Sequence, residues 1–257
     1  MSSSSPPPTF IVGSGRSGTT LLRLMLDAHP NISCGPETHF LRDMRHIVGE
    51  HWNLLSRYGF SKAYWHKKIN RFFCSFQQDY MEKRGKTRWV EKTPWYAHHL
   101  GFIDEVFENC LILHIIRNGY DVVLSWKQRN GYKQALESAW TRWADAISNA
   151  RAFGNRHPNR YHELRYEDLV TAPEDTIRPV LSFMEEPWDP IVLNYDQADH
   201  DVAERYWDHT EKRRRSEKTD SKIYASRIGK GKEKLDPVLR TVLRTRSGSL
   251  LQELGYD

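Results

Sequence analysis

The sequence predicts an α/β fold, a central parallel sheet covered by helices on both faces. Short apolar segments alternate with segments of helical period along the chain, the signature of repeated strand–helix units. The run Leu111 to Ile116 is apolar apart from His114, the continuous pattern of a strand covered on both faces. The first strand–helix junction carries a glycine-rich turn from Gly13 to Thr20. Such a turn lets backbone N–H groups and a helix N-terminus converge on an anion.

Thr9 to Val12 reads as the first strand, and Leu21, Leu22, Met25 and Leu26 recur at helical spacing behind the turn. His29-Pro30-Asn31 ends that helix, and Ile32 to Gly35 is a second strand delivering Glu37 and His39 to its carboxyl end. Residues 41–83 form a helical insert of two or three amphipathic helices, and most of its aromatics are expected to pack inward. Trp89 to Pro94 is a third strand with a charged end, followed by a helix from Trp95 to Glu108. Leu111 to Ile116 ends at Arg117, and the helix from Asp121 to Arg129 presents Ser125. A long helix from Leu136 to Phe153, a strand from Tyr161 to Tyr166 and a helix from Thr176 to Met184 follow. Residues 189–219 read as loop, Ser226 to Lys232 as a basic glycine-bearing loop, and Pro237 to Leu254 as a final helix. Residues 9–257 are read as one domain and 1–8 as a disordered N-terminus.

The loop spacing narrows the ligand. A Walker A loop reads G-x-x-x-x-G-K-[ST]. Gly13, Gly18 and Thr20 match it, but Thr19 stands at the lysine position and the cation is Arg16, inside the loop. The missing lysine argues against a nucleoside triphosphate and for a differently charged phosphate group. In open α/β sheets ligands bind beyond the carboxyl ends of the strands, where the loop, Glu37, Lys92 and Arg117 would all lie.

With 257 residues the chain is long enough for a substantial core. Its formal charge of +5 suits anionic ligands, but the basic residues are scattered rather than gathered into a nucleic-acid stripe. Cys34, Cys74 and Cys110 are an odd number without a C-x-x-C pair, which excludes a disulfide framework and a zinc ribbon. Neither a signal-peptide pattern nor a run of about 20 apolar residues occurs, so the expected location is cytoplasmic, with no membrane span. No H-E-x-x-H or Cys/His ligand spacing suggests a metal.

Taken in order, Gly13 to Thr20, Lys92-Thr93-Pro94, Arg117 with Ser125, Tyr166-Glu167-Asp168-Leu169 and Arg227 to Lys232 resemble the sulfotransferases that use 3′-phosphoadenosine 5′-phosphosulfate (PAPS). Locally, Arg16 to Leu21, Leu26 to Pro30 and Cys34 to Thr38 look most like tyrosylprotein sulfotransferases. The resemblance implies that the first loop is a P-loop-like 5′-phosphosulfate loop. Gly15, Arg16, Ser17, Gly18, Thr19 and Thr20 would hold the 5′-phosphosulfate, and Arg117 and Ser125 the 3′-phosphate. Arg227 and Lys230 would close over the nucleotide, with Tyr166 near the adenine. Glu37 would be the general base, with His39 as its rival, and Arg16 and Lys92 would offset charge on the bridging oxygen. The co-product would be adenosine 3′,5′-bisphosphate, and no metal is implied. The acceptor would be a hydroxyl of a peptide tyrosine, sugar, lipid or small molecule. No nucleic-acid partner is expected, and a homodimer is left open. Two alternatives stand beside this reading: a nucleotide or small-molecule kinase with a degenerate P-loop, and a non-catalytic nucleotide-binding module.

Overall fold

The computed structural model describes residues 6–198, 200 and 228–257. Among them, five parallel strands form one sheet: β1 (Thr9–Val12), β2 (Ile32–Cys34), β3 (Arg88–Lys92), β4 (Leu111–Ile116) and β5 (Tyr161–Arg165), in the order β2-β3-β1-β4-β5. Ile11 pairs with Lys92 on one side and Leu113 on the other, so β1 lies at the centre. The chain leaves β1 for β2, returns to β3 beside β1, and then crosses to β4 on the opposite flank. The strand order therefore reverses at β1, and a crevice opens at the carboxyl ends there.

Alternate side chains of each strand serve opposite layers. Ile11, Leu113 and Ile115 join a core with α1 (Thr19–Ala28), α9 (Tyr166–Thr171), α10 (Pro173–Phe183) and the 3₁₀ segment Pro190–Gln197. Phe10, Val12 and Ile112 face a second core with α2 (Phe40–Glu50), Leu55 of α3 (Trp52–Leu55), α4 (Lys62–Lys83), α5 (Leu100–Val106) and α8 (Trp143–Arg156). A third cluster joins α6 (Gly119–Asn130), α7 (Tyr132–Glu137) and the final helix Pro237–Glu253. The helix-covered parallel sheet is as the sequence predicts. Among the described residues no helix is long and apolar enough to cross a membrane.

Three sequence readings are corrected. The helix expected from Trp95 to Glu108 is a 3₁₀ segment, Pro94–His99, followed by α5. The helix expected from Leu136 to Phe153 is interrupted by a π-turn, Ser138–Arg142, between α7 and α8. Of the nine aromatics from Trp52 to Tyr80, only Phe73 is buried. Several of the others pack on neighbouring rings: Phe60 on Tyr64 at 4.0 Å, and Phe72 and Phe76 against Phe40. Residues 201–227, including Arg227, lie outside the described residues.

The far end of α1 is tied down by one carboxylate. Asp27 is fully buried and accepts from the Cys34 amide at 2.8 Å and from Arg84 Nη2 at 3.1 Å, and its Oδ2 lies 2.8 Å from His200 Nδ1. Burial pushes this carboxyl up, but the hydrogen bonds from His200, Arg84 and Cys34 and the Arg84 charge outweigh it and hold it at about 2. A native value below the ordinary 3.8 stabilises the fold above that pH, and the gain is lost as pH falls from 3.8 through about 2. The shift corresponds to about 2 kcal/mol. Asp27→Asn should lose about that much stability at neutral pH and flatten the acid limb of a urea-unfolding series. An unchanged acid limb would place that stability elsewhere.

Candidate active site

The site is built on the carboxyl edge of the sheet. The loop between β1 and α1 is closed by Ser17 N–H donating to Ser14 O at 3.1 Å, and it is tied to the end of β3 by Gly13 N–H donating to Pro94 O at 3.4 Å. Gly18 has a left-handed φ of 97°, and a Cβ there would meet the Tyr166 ring at 2.3 Å. Only glycine allows both the angle and the close approach. Ser17 and Thr19 are buried and Thr20 is exposed. Arg16 also has a left-handed φ, 75°, held by the bonds around it. Its carbonyl accepts from Arg117 Nη1 at 3.3 Å, and its Nε donates to Ser125 Oγ at 3.2 Å. Sequence reasoning aimed Arg16 at the bond to be broken. In the structure its Nε is bonded to Ser125.

On the β2–β3 side, Glu37 follows β2 and Lys92 ends β3. Lys92 Nζ donates to Glu37 Oε1, and the lysine is 5% exposed while Glu37 is half-buried. His39 Nε2 stands 3.4 Å from Glu37 Oε2, so the two candidate bases are neighbours. Of the two candidate cations, it is Lys92 that pairs with Glu37.

On the β4–β5 side, Arg117 is 7% exposed and its guanidinium carbon lies 4.2 Å over the Tyr166 ring, a cation–π contact. Its carbonyl accepts from Trp143 Nε1 at 2.9 Å. Tyr166 is thus placed between Arg117 and the Gly18 turn. The next residue, Glu167, accepts from the Asn118 amide at 2.9 Å and fixes the turn that follows Arg117.

Two further groups escaped sequence reasoning. Asp121 stands 3.7 Å from Arg117 and accepts from the amides of Gly229 at 2.9 Å and Gly231 at 2.6 Å. A Cβ at Gly231 would come within 2.2 Å of the Tyr120 backbone, so glycine is required for this docking. Lys230–Lys234, read from sequence as part of a basic loop as far as Lys232, is a short helix, and it is thereby held on the start of α6. Arg117, Asp121, Leu124, Ser125, Gln128, Arg129, Lys230 and Lys234 then line one pocket of about 350 Å³. The only local sequence signal for Asp121 is its position one helical turn beyond Arg117.

The second group flanks the loop. Trp126 lies against Gly15, where a Cβ would meet Cζ2 at 2.7 Å. The Arg142 guanidinium sits 5.5 Å from the Trp95 ring and 5.9 Å from the Trp126 ring. These residues are far apart in sequence and share no motif. Among the described residues, no group of three or more His, Cys, Asp or Glu side chains is arranged to hold a metal ion.

A glycine loop, a lysine-paired carboxylate and a pocket lined by basic residues thus lie along one sheet edge. Residues 7–190 match the sulfotransferase family, and the chain belongs to it. It is 31% identical over 212 residues to protein-tyrosine sulfotransferase A of Caenorhabditis elegans, covering 74% of this chain and 53% of that protein. It is 27% identical over 268 residues to human protein-tyrosine sulfotransferase 1, covering 98% of this chain and 70% of the human protein. The chain thus spans about half the length of the worm relative. In three dimensions it is similar to the sulfotransferase domain of the Synechococcus PCC 7002 olefin synthase, with a TM-score of 0.71 at 22% identity, covering 100% and 98% of the two chains.

Proposed function

We propose that this chain is a sulfotransferase that moves a sulfuryl group from PAPS to an acceptor hydroxyl. The observation that carries the reading is the division of the sheet edge. The Gly13–Thr20 loop and the Glu37–Lys92 pair lie on one side, and the Arg117, Ser125, Lys230 pocket on the other. A donor with a 5′-phosphosulfate and a separate 3′-phosphate needs two anion sites, and the reading assigns one to each group. The loop residues Gly15, Ser17, Gly18, Thr19 and Thr20 would hold the 5′ group. Arg117, Ser125 and Lys230, with Arg16 bonded to Ser125, would hold the 3′-phosphate.

In the step itself the acceptor oxygen attacks sulfur in line. The bond from sulfur to the 5′-phosphate oxygen breaks, and the acceptor proton passes to Glu37. Lys92, paired with Glu37, would offset the charge that grows on the departing oxygen. The names of the curated relatives support a protein tyrosine as the acceptor class. The Trp95, Trp126 and Arg142 wall beside the loop offers an aromatic surface on that side.

Calorimetry should show binding of adenosine 3′,5′-bisphosphate and a much weaker response to ATP–Mg²⁺. Tight ATP–Mg²⁺ binding with no response to the bisphosphate would favour a kinase instead. Transfer of label from PAPS to a tyrosyl peptide, compared with sugar and small phenol acceptors, then assigns the acceptor.

A further inference from the structure

Glu91, the residue before Lys92, points the other way along β3, into the protein. It is 1% exposed, and no step of the reaction described above uses it. Its Oε1 accepts from Thr38 N–H at 3.3 Å, Thr38 Oγ1 at 3.1 Å and Thr93 Oγ1 at 2.6 Å, and its Oε2 accepts from Gln77 Nε2 at 3.0 Å. All four partners are donors, so the carboxylate has every bond an acceptor-only group needs in a dry site. A buried carboxylate is costly unless so satisfied. A leucine or valine would fill a strand position at less cost, so the chain carries this carboxylate for something besides packing.

The donors show what it holds. Thr38 immediately follows Glu37. Tyr96 OH lies 2.9 Å from Thr38 Oγ1 and accepts from the Leu41 amide at 3.0 Å. One chain of hydrogen bonds, from buried Gln77 and Glu91 through half-buried Thr38 to buried Tyr96 and Leu41, therefore grips the Glu37 segment just beyond Glu37 itself. Between the grips His39 sits at a left-handed φ of 57°. A non-glycine residue keeps such an angle only where its surroundings over-determine it.

We propose that Glu91 is a positioning residue, which anchors Thr38 through its carboxylate and so fixes the direction in which Glu37 faces Lys92 and the acceptor. Two consecutive residues of one strand end would then act on one base, Lys92 by direct pairing and Glu91 through the backbone of its neighbour. The inference rests on the reading of Glu37 as the base.

The test uses the full chain with PAPS and a tyrosyl peptide, alongside amide hydrogen exchange, which needs no acceptor. Glu91→Gln places an amide NH₂ where a donor now points in, and Tyr96→Phe removes the hydroxyl beneath Thr38 and Leu41. Glu91→Gln should lower kcat at saturating donor about ten- to a hundredfold, as small misplacements of reacting groups do. Adenosine 3′,5′-bisphosphate affinity should stay within about threefold. Both variants should speed amide exchange at Thr38 and Leu41. Glu37→Gln combined with Glu91→Gln should be no slower than Glu37→Gln alone, because the second residue acts only through the first. Wild-type exchange and kcat in both variants would overturn the positioning role while leaving the base intact. Wild-type kcat in Glu37→Gln would instead sink the reading of the base, whatever Glu91 does. If Glu91→Gln does not fold, Tyr96→Phe carries the same exchange and kcat comparison.

Discussion

Glu37→Gln should slow sulfuryl transfer by about 10²–10⁴-fold, the contribution expected of a positioned general base. The amide keeps the shape of the carboxylate but cannot take the acceptor proton. Glu37 is bonded to Lys92 rather than to the loop or the basic pocket, so calorimetry should show adenosine 3′,5′-bisphosphate binding nearly as tightly as to the wild type. His39, at 3.4 Å, is the residue that a retained rate would implicate. Measuring His39→Gln beside Glu37→Gln separates the two. Loss of turnover in the histidine variant alone would transfer the role.

Arg117→Ala should show the opposite pattern, a donor bound about 10- to 100-fold more weakly with kcat largely kept at saturating donor. The estimate follows from one hydrogen-bonded charge pair of about 1.5–3 kcal/mol. Arg117 also covers Tyr166 and bonds the Arg16 carbonyl, so the alanine removes packing as well as charge. Arg117→Lys keeps the charge but loses the planar group that lies over Tyr166. A lysine variant as weak as alanine would assign the loss to the stacked geometry. A fall in kcat with unchanged donor affinity would place Arg117 outside the donor site.

β1 and β4 were legible as short apolar runs that end at Gly13 and Arg117, while β3 and β5 are mixed polar and apolar segments placed by the strand–helix alternation around them. Once they were placed, Glu37, Lys92 and Arg117 fell on one edge by topology alone. The helix from Trp95 failed because Pro94 and the residues after it support a 3₁₀ turn as readily as an α-helix. The break at Ser138–Arg142 has no breaker residue to announce it. The insert misled because aromatic content does not say which side of a helix is covered. Phe72 and Phe73 are adjacent, yet one is 48% exposed and the other 1%. Asp121 and Glu91 were invisible as site residues because what they do depends on partners from remote segments: Gly229 and Gly231 for one, Thr38 and Gln77 for the other. The bond from Arg16 to Ser125 was hidden for a related reason, since the two residues are 109 positions apart.

The docking of Gly229 and Gly231 on Asp121 bears on how the chain can be divided. The match to the family ends at residue 190, and all five strands, the glycine loop and the Glu37–Lys92 pair lie before it. Lys230 and Lys234, which complete the wall of the basic pocket, lie after it. A fragment cut at residue 190 would retain the whole sheet and six of the eight residues that line the pocket, and would lose Lys230 and Lys234. The family match therefore leaves out part of the pocket wall, and Asp121 is the joint that holds that part in place.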